Sequence, residues 1–98
     1  MSWMNYMSIY EDDINNGIDT AEKALNQLEL SNYNDELHRE AFEELKEIGD
    51  WDHITNSIIA AYFRIAQSII ERELPDVDTD YFVNCTDSHF YIGQEEVY

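Results

Sequence analysis

The residues in this sequence that are best able to do chemistry are its acidic side chains. Five of them recur at helical intervals in one short segment: Glu36, Glu40, Glu43, Glu44 and Glu47. On an α-helix four of these glutamates fall within about 60° of one another, with Glu44 beside them. The run is about 16 Å long at ~1.5 Å per residue, or one charge per ~4–5 Å. That spacing is close to the ~3.4 Å axial charge spacing of a single DNA strand.

A second acidic stripe is expected on a helix over Ser8–Glu29, where apolar residues recur at steps of three and four. Its acidic members lie on the side opposite the apolar face: Glu11, Asp12, Asp19, Glu22 and Glu29. The Asn15-Asn16-Gly17 segment weakens the middle of this helix and predicts either a kink or a break into two helices. Residues 2–7 either join the helix, pack as an aromatic arm or form a strand.

Histidine and cysteine offer little chemistry in this chain. His38, His53 and His89 form no HExxH or paired Glu-x-x-His motif, and there is no Cys-x-x-Cys pair, so we expect no metal site and no cofactor. His38 is expected at the surface or at the boundary of the core. Cys85 and His89 could be drawn as nucleophile and base, but no third member or glycine-rich loop completes the site. We therefore expect a protein that is not an enzyme.

The segment from Asp76 to Asp87 resembles the calcium loop of an EF-hand, with an Asp-x-Asp-x-Asp pattern at its start. Tyr81 stands where that loop needs glycine, and the twelfth position carries Asp87 in place of a bidentate glutamate. A calcium-binding module is therefore the least favoured interpretation.

The composition restricts the class of partner. The chain has 22 acidic and five basic residues, for a formal net charge of −17. A charge of about 2–8 is enough for solubility, and self-repulsion at higher values opposes compactness. Direct binding to nucleic acid or to an anionic membrane is excluded on this ground, whereas basic protein grooves are favoured. A single cysteine and an N-terminus without basic residues indicate a protein of a reducing cytosol with no signal peptide.

Three helices are expected to position the acidic residues. The central one, Ile54–Leu74, is apolar over most of its circumference, and its main face consists of Ile54, Ile58, Ala61, Ile65 and Ile69. A helix over Asp35–Ile48 carries the first acidic stripe, with Asn34 as its N-cap and Gly49 as its stop. Asp50 or Asp52 is expected to cap the central helix, and Pro75 to end it.

After Pro75 the spacing of the apolar residues no longer fits a helix. Tyr81–Val83 and Phe90–Ile92 are short β-prone runs separated by the turn-forming residues 84–88. They predict either a hairpin or an irregular tail that lies over the helices.

This chain of 98 residues, acidic, helical and rich in aromatic residues, resembles the small phage and plasmid antirestriction proteins that imitate DNA. Its stretch ITNSIIAAYFRIAQSIIEREL is similar to the C-terminal helix of the overcome-classical-restriction family. The resemblance implies a bent, often dimeric, body whose carboxylates fill the DNA groove of a restriction enzyme, a device that some anti-CRISPR proteins share. The chain lacks the very acidic C-terminal tail of that family, and the resemblance transfers no individual functional residue.

We expect a single mainly α-helical domain over residues 1–98, with three principal helices and a short β-like C-terminal segment. The favoured function is inhibition of a host defence nuclease (restriction or CRISPR) in the host cytoplasm, through its nucleic-acid-binding site. The alternative is an acidic interaction module, such as an antitoxin or adaptor, that binds another basic protein surface. The apolar excess of the central helix also predicts a homodimer.

Overall fold

The computed structural model describes residues 3–47, 54–84 and 87–97, with side chains from residue 12 onward in the first range and from residue 55 onward in the second. The elements, in chain order, are α1 (Trp3–Gln27), a 3₁₀ turn (Ser31–Tyr33), α2 (Asn34–Leu45), α3 (Ile54–Glu73), β1 (Thr79–Phe82), β2 (His89–Ile92) and β3 (Glu95–Glu96). The predicted fold class, mainly α with three principal helices and a short β segment, is confirmed.

Helix α3 lies at the centre because most of its circumference is apolar, and it packs against α1, α2 and β1. Its buried side chains include Ile58, Phe63 and Ile69, each at most 1% exposed, while the predicted core residue Ile65 is only half-buried. Phe63 contacts the sheet and Arg72 contacts α2. These two residues are nine positions apart, or about 180° around the helix axis, so α2 and the sheet lie against opposite sides of α3.

Helix α1 is one continuous helix of 25 residues that includes residues 3–7, so the chain is not broken at Asn15-Asn16-Gly17. Gly17 is buried against α3. A Cβ atom at this position would lie 2.8 Å from Cγ1 and 2.9 Å from Cγ2 of Ile59. The glycine therefore permits the close approach of two helices instead of interrupting one of them.

The end of α1 differs from the prediction by two residues, because Glu29 lies beyond the helix in the left-handed conformation, with φ of 62°. The amide of Leu30 donates to the carbonyl of Leu25 at 2.7 Å, and the amide of Glu29 donates to the carbonyl of Asn26 at 3.1 Å. This pair of bonds is a Schellman motif, in which glycine is the usual left-handed residue. Leu30 and Leu25 are both buried, which supplies the apolar contact of the motif.

Helix α2 begins one residue earlier than predicted and ends three residues earlier, at Leu45. The prediction that Asn34 is its N-cap is wrong. The 3₁₀ turn runs directly into the helix, so Asn34 is already helical, its amide donates to the carbonyl of Ser31, and Tyr33 takes the cap position without a side-chain bond. The predicted contact of Ile48, stop at Gly49 and cap at Asp50 or Asp52 lie outside the described residues.

The C-terminal segment forms an antiparallel sheet in the order β1-β2-β3, which decides for the hairpin over the irregular tail and adds a third strand. Tyr81 pairs with Phe90, and Ile92 pairs with Glu95 across a two-residue turn. Gly93 begins that turn with φ of 65°, a conformation that costs glycine little. Phe90 is fully buried against Phe63, with ring centroids 5.4 Å apart.

Candidate partner-binding surface

The acidic stripe of α2 exists because the helix buries one side and exposes the other. Its buried residues, Leu37, Ala41 and Leu45, are spaced four apart and belong to the core on the side that packs against α3. Glu40, Glu43 and Glu47 are exposed, and Glu47 lies in the turn after the helix. Lys46 Nζ lies 3.1 Å from Glu43 Oε1, and both side chains of this pair, three residues apart in sequence, are exposed.

The other two glutamates of the α2 stripe are bound to α3. Arg72 Nη1 donates to Glu36 Oε2 at 2.7 Å, and Arg64 Nε donates to Glu44 Oε1 at 2.9 Å. The hydrogen bond from Arg72 holds the pKa of Glu36 below its usual range, against the effect of partial burial. Glu36 and Glu44 thus link two helices, and each carboxylate already contacts an arginine of α3.

A small cluster extends the Arg72 contact. Tyr33 donates its hydroxyl proton to Glu73 Oε1 at 2.7 Å, and Arg72 Nε donates to Glu73 Oε2 at 2.8 Å. The guanidinium carbon of Arg72 lies 5.3 Å from the centre of the Tyr33 ring. The hydrogen bond to Glu73 raises the pKa of Tyr33, and the same bond lowers the pKa of Glu73. The start of α2 and the end of α3 are held together by this cluster.

The acidic residues of α1 are divided between solvent and a helix contact. Asp12 and Asp19 are exposed opposite the buried face, and Glu29 is exposed in the Schellman motif. Glu22 is half-buried and lies beside α2. Glu11 belongs to α1, but its side chain lies outside the described part of the structure.

Glu22 belongs to a hydrogen-bonded bridge across all three helices. Tyr62 Oη and His38 Nδ1 are 2.9 Å apart, and His38 Nε2 and Glu22 Oε1 are 3.1 Å apart. A neutral imidazole satisfies both contacts when Tyr62 donates to Nδ1 and Nε2–H donates to Glu22. Burial, followed by the charge of Glu22, raises the pKa of Tyr62. His38 is a boundary residue, as predicted, but its role in joining helices could not be inferred from the sequence.

The polar contacts of α2 lie on two sides of this helix. Glu36 and Glu44 contact α3 on one side, whereas His38 on the other side contacts both Glu22 of α1 and Tyr62 of α3. His38 lies about 160° from Glu36 around the helix axis. Positive charge is also unevenly placed, because four of the five basic residues lie on α2, just after it or on α3: Arg39, Lys46, Arg64 and Arg72.

The exposed acidic residues differ in their ion pairs from Glu22, Glu36 and Glu44, which link helices. Within the described residues, no ion pair involves the following five: Asp12, Asp19, Glu29, Glu40 and Glu47. Asp12 and Asp19 are seven residues apart, about 10 Å along the helix. That distance equals about three nucleotide steps of a DNA strand. The molecule is 41 Å long in its longest dimension, about twelve such steps.

The segment that resembles an EF-hand does not form a loop over its described residues. Thr79–Phe82, in its middle, is strand β1, and Asp87 at its end contacts His89. Over the described ranges, no three histidine, cysteine or acidic side chains come together as a metal site. Cys85 lies outside those ranges, so the structure does not describe the Cys85–His89 pair considered from the sequence.

Protein-family models, curated proteins and solved structures give no match to this chain. No described helix is long and apolar enough to cross a membrane. The geometry and charge of the described residues are therefore what supports a function.

Proposed function

We propose that this protein is a non-enzymatic inhibitor that occupies the nucleic-acid-binding site of a basic host defence nuclease, of the restriction or CRISPR type. The observation that carries the proposal is the set of exposed carboxylates that make no ion pair with described residues: Asp12, Asp19, Glu29, Glu40 and Glu47. Glu43 adds to this set, since its pair with Lys46 is exposed and weak.

The arrangement of the basic residues supports this proposal. Arg64 and Arg72 hold the helices together and neutralise Glu44 and Glu36, so they are not free to shield the remaining acids. The charge left on α1 and α2 repels itself, and this repulsion works against folding. A basic groove removes that repulsion on binding. It also selects this protein over neutral ones through electrostatic steering.

The alternative, an acidic adaptor or antitoxin that binds a basic surface outside a nucleic-acid groove, has one observation in its favour. Phe42 is 47% exposed on α2, and Lys46 Nζ lies 5.0 Å from the centre of its ring. Exposed aromatic side chains often anchor protein–protein contacts. An adaptor would keep its partner in the presence of DNA, whereas a DNA mimic would lose it.

The first test is competition. The immobilised protein is incubated with a bacterial lysate, and the bound partner is identified by mass spectrometry and then purified. We expect a nuclease subunit that duplex DNA displaces in a concentration-dependent way, and whose nuclease activity the protein inhibits. A partner that duplex DNA cannot displace would support the adaptor and contradict the mimic.

The second test is positional charge reversal. The variant Asp12→Lys, Asp19→Lys, Glu40→Lys, Glu47→Lys removes exposed acids and leaves the buried faces of α1 and α2 intact. We expect affinity for the purified partner to fall about 100-fold, or about 2.8 kcal/mol, with a weaker dependence on salt.

The matched control reverses four exposed acids away from both stripes: Glu71, Asp76, Asp78 and Glu95. It changes the net charge by the same amount. Because these acids lie outside the two stripes, we expect a loss of less than about tenfold. Equal losses from the two variants would leave only a generic electrostatic attraction and would exclude the mimic.

A further inference from the structure

One face of the C-terminal sheet carries exposed residues on both of its edge strands, Asp80 and Phe82 on β1 and Glu96 on β3. The register places Asp80 opposite Tyr91 and Phe82 opposite His89, and Tyr91 is in turn opposite Glu96. Paired residues point to the same side of a sheet. We define the outer face by these five residues. Phe82 on this face is 52% exposed, the highest value among the large apolar side chains described.

The opposite face of the sheet packs against the core. Phe90 is fully buried and contacts both Phe63 of α3 and Tyr81, whose ring is stacked on it at 6.3 Å and 5°. The sheet therefore uses one face for the core, and Phe82 makes no contribution to that packing. An exposed phenylalanine of this kind commonly marks a contact surface.

The outer face already holds one planar ring between two carboxylates. His89 Nε2 lies 2.6 Å from Asp87 Oδ1, and His89 Nδ1 contacts Glu96. The hydrogen bond to Glu96, followed by that to Asp87, raises the pKa of His89 and so favours the protonated ring. The rings of His89 and Tyr91 are 6.1 Å apart with an angle of 30° between them. Two carboxylates and the Tyr91 ring thus lie beside the flat ring of His89.

The segment around this face has a strong charge of one sign. From Leu74 to Tyr98 the sequence has no lysine or arginine and six acids: Asp76, Asp78, Asp80, Asp87, Glu95 and Glu96. His89 balances part of this charge, and Asp80 lies on the same face across from Tyr91. A cationic partner is therefore favoured over a neutral or anionic one.

We propose that the outer face of the sheet binds an arginine side chain of a partner protein, with the guanidinium over Phe82 and Tyr91 and its N–H groups directed at Asp80 and Glu96. Arginine fits better than lysine because its planar guanidinium stacks on aromatic rings and offers donors in a fixed fork. The contact resembles in chemistry the one that His89 makes inside the chain.

This site goes beyond the inhibitor proposal, because it uses a different surface. The sheet and α2 lie on opposite sides of α3, and the outer face contains none of the helical acids assigned to phosphate mimicry. Failure of one proposal therefore does not decide the other.

The test uses a six-residue peptide of alternating glycine and arginine, and its lysine counterpart, titrated into the full-length chain and followed by NMR. We expect the arginine peptide to shift the resonances of Phe82, Tyr91 and Asp80, and to bind about fivefold tighter than the lysine peptide. Equal affinity for the two peptides would show a generic charge effect and overturn the proposal.

Phe82→Ala is the decisive variant, and Phe42→Ala is its matched control. Both residues are about half-exposed phenylalanines, and neither substitution changes the net charge. We expect Phe82→Ala to weaken the arginine peptide about fivefold and Phe42→Ala to leave it unchanged. Equal effects of the two variants, or no effect of either, would overturn the proposal.

Asp80→Asn keeps the shape of the side chain and provides a second variant in case Phe82→Ala disturbs the sheet. We expect it to weaken the arginine peptide as well, with the amide resonances of Phe90 and Ile92 unshifted in the free protein. Unchanged affinity in an intact sheet would count against the assigned contact.

Discussion

Two regions lie against opposite sides of α3, and they balance negative charge by different means. On one side, Glu36 and Glu44 of α2 meet Arg72 and Arg64, which stay charged at every physiological pH. On the other side, the sheet carries no lysine or arginine, and only His89 meets its acids, Asp87 and Glu96. The first balance is permanent, whereas the second depends on a proton.

The two regions also differ in what they bury. The α2 side packs aliphatic residues and alanines, such as Leu37 and Ala41, whereas the sheet side packs the three rings of Phe63, Tyr81 and Phe90 edge to face or stacked. The buried residues on both sides of α3 belong to one hydrophobic cluster. One central helix can therefore serve two kinds of interface when its apolar surface covers most of its circumference.

The largest predicted effect comes from the two interfaces themselves. Phe63→Ala on the sheet side should lower the free energy of unfolding by about 3–5 kcal/mol, and Leu37→Ala on the α2 side by about 2–5 kcal/mol, because each leaves a cavity. Chemical denaturation followed by circular dichroism and tryptophan fluorescence measures both. A single transition is expected in each variant. A separate early transition in Phe63→Ala alone would show that the sheet unfolds independently of the helices.

An intermediate effect is predicted where α1 approaches α3. Gly17→Ala places a methyl group against Ile59, and the overpacking of about 1–3 kcal/mol exceeds the roughly 1 kcal/mol gained in helix propensity. We expect a net loss of about 1 kcal/mol. In an Ile59→Ala background the same change should be neutral or stabilising, since the clash is gone. A loss of equal size in both backgrounds would mean that contact with Ile59 is not the cause.

A smaller effect, of opposite sign, is predicted at the end of α1. Glu29→Gly should raise the free energy of unfolding by about 0.5–1 kcal/mol, because glycine adopts positive φ without the strain that a side chain incurs. Thermal melting measures it. Glu29→Ala removes the same carboxylate but keeps a Cβ atom, so it should not stabilise. Equal stabilisation by both variants would assign the effect to charge instead of backbone.

The smallest effect is expected at His89. It tests whether the charge on the sheet side depends on a proton while the charge on the α2 side does not. The contact with Glu96, followed by that with Asp87, raises the pKa of His89 above its usual 6.5. The folded state therefore binds the proton more tightly than the unfolded state. Its stabilisation is complete below about pH 6.5 and is lost as the pH rises through the folded pKa.

The matched measurement compares His89→Gln with Arg72→Gln from pH 5 to pH 9. The stability difference between the original chain and His89→Gln should shrink as the pH rises, while the difference for Arg72→Gln should stay constant. The Arg72 contact is lost only in acid, because Glu36, whose pKa is lowered from 4.5, must first be protonated. Parallel pH profiles for the two variants would remove the distinction between the two regions.

Hydrophobic period and length in the sequence were enough to predict the three helices, the central place of α3 and two β-prone runs at the C-terminus, where a hairpin and an irregular tail both remained open. These features are local, since a helix or strand reveals its buried face within a few turns of chain. The acidic surface could be predicted as a set of residues for the same reason. Of the ten glutamates and aspartates chosen, Asp12, Asp19, Glu29, Glu40 and Glu47 are exposed and make no ion pair with described residues.

Tertiary structure alone decided which acids meet a base. Glu36 and Arg72 are 36 residues apart, and Glu44 and Arg64 are 20 apart, so their contacts depend on how α2 and α3 settle against each other. The same holds for Gly17, whose role is set by Ile59 on another helix. Such pairings arise from side chains that interdigitate between elements, and local sequence does not specify that register. The sequence by itself determined which residues are acidic and which side of each helix they share, and only the packed fold decided which of the described charges form ion pairs and which do not.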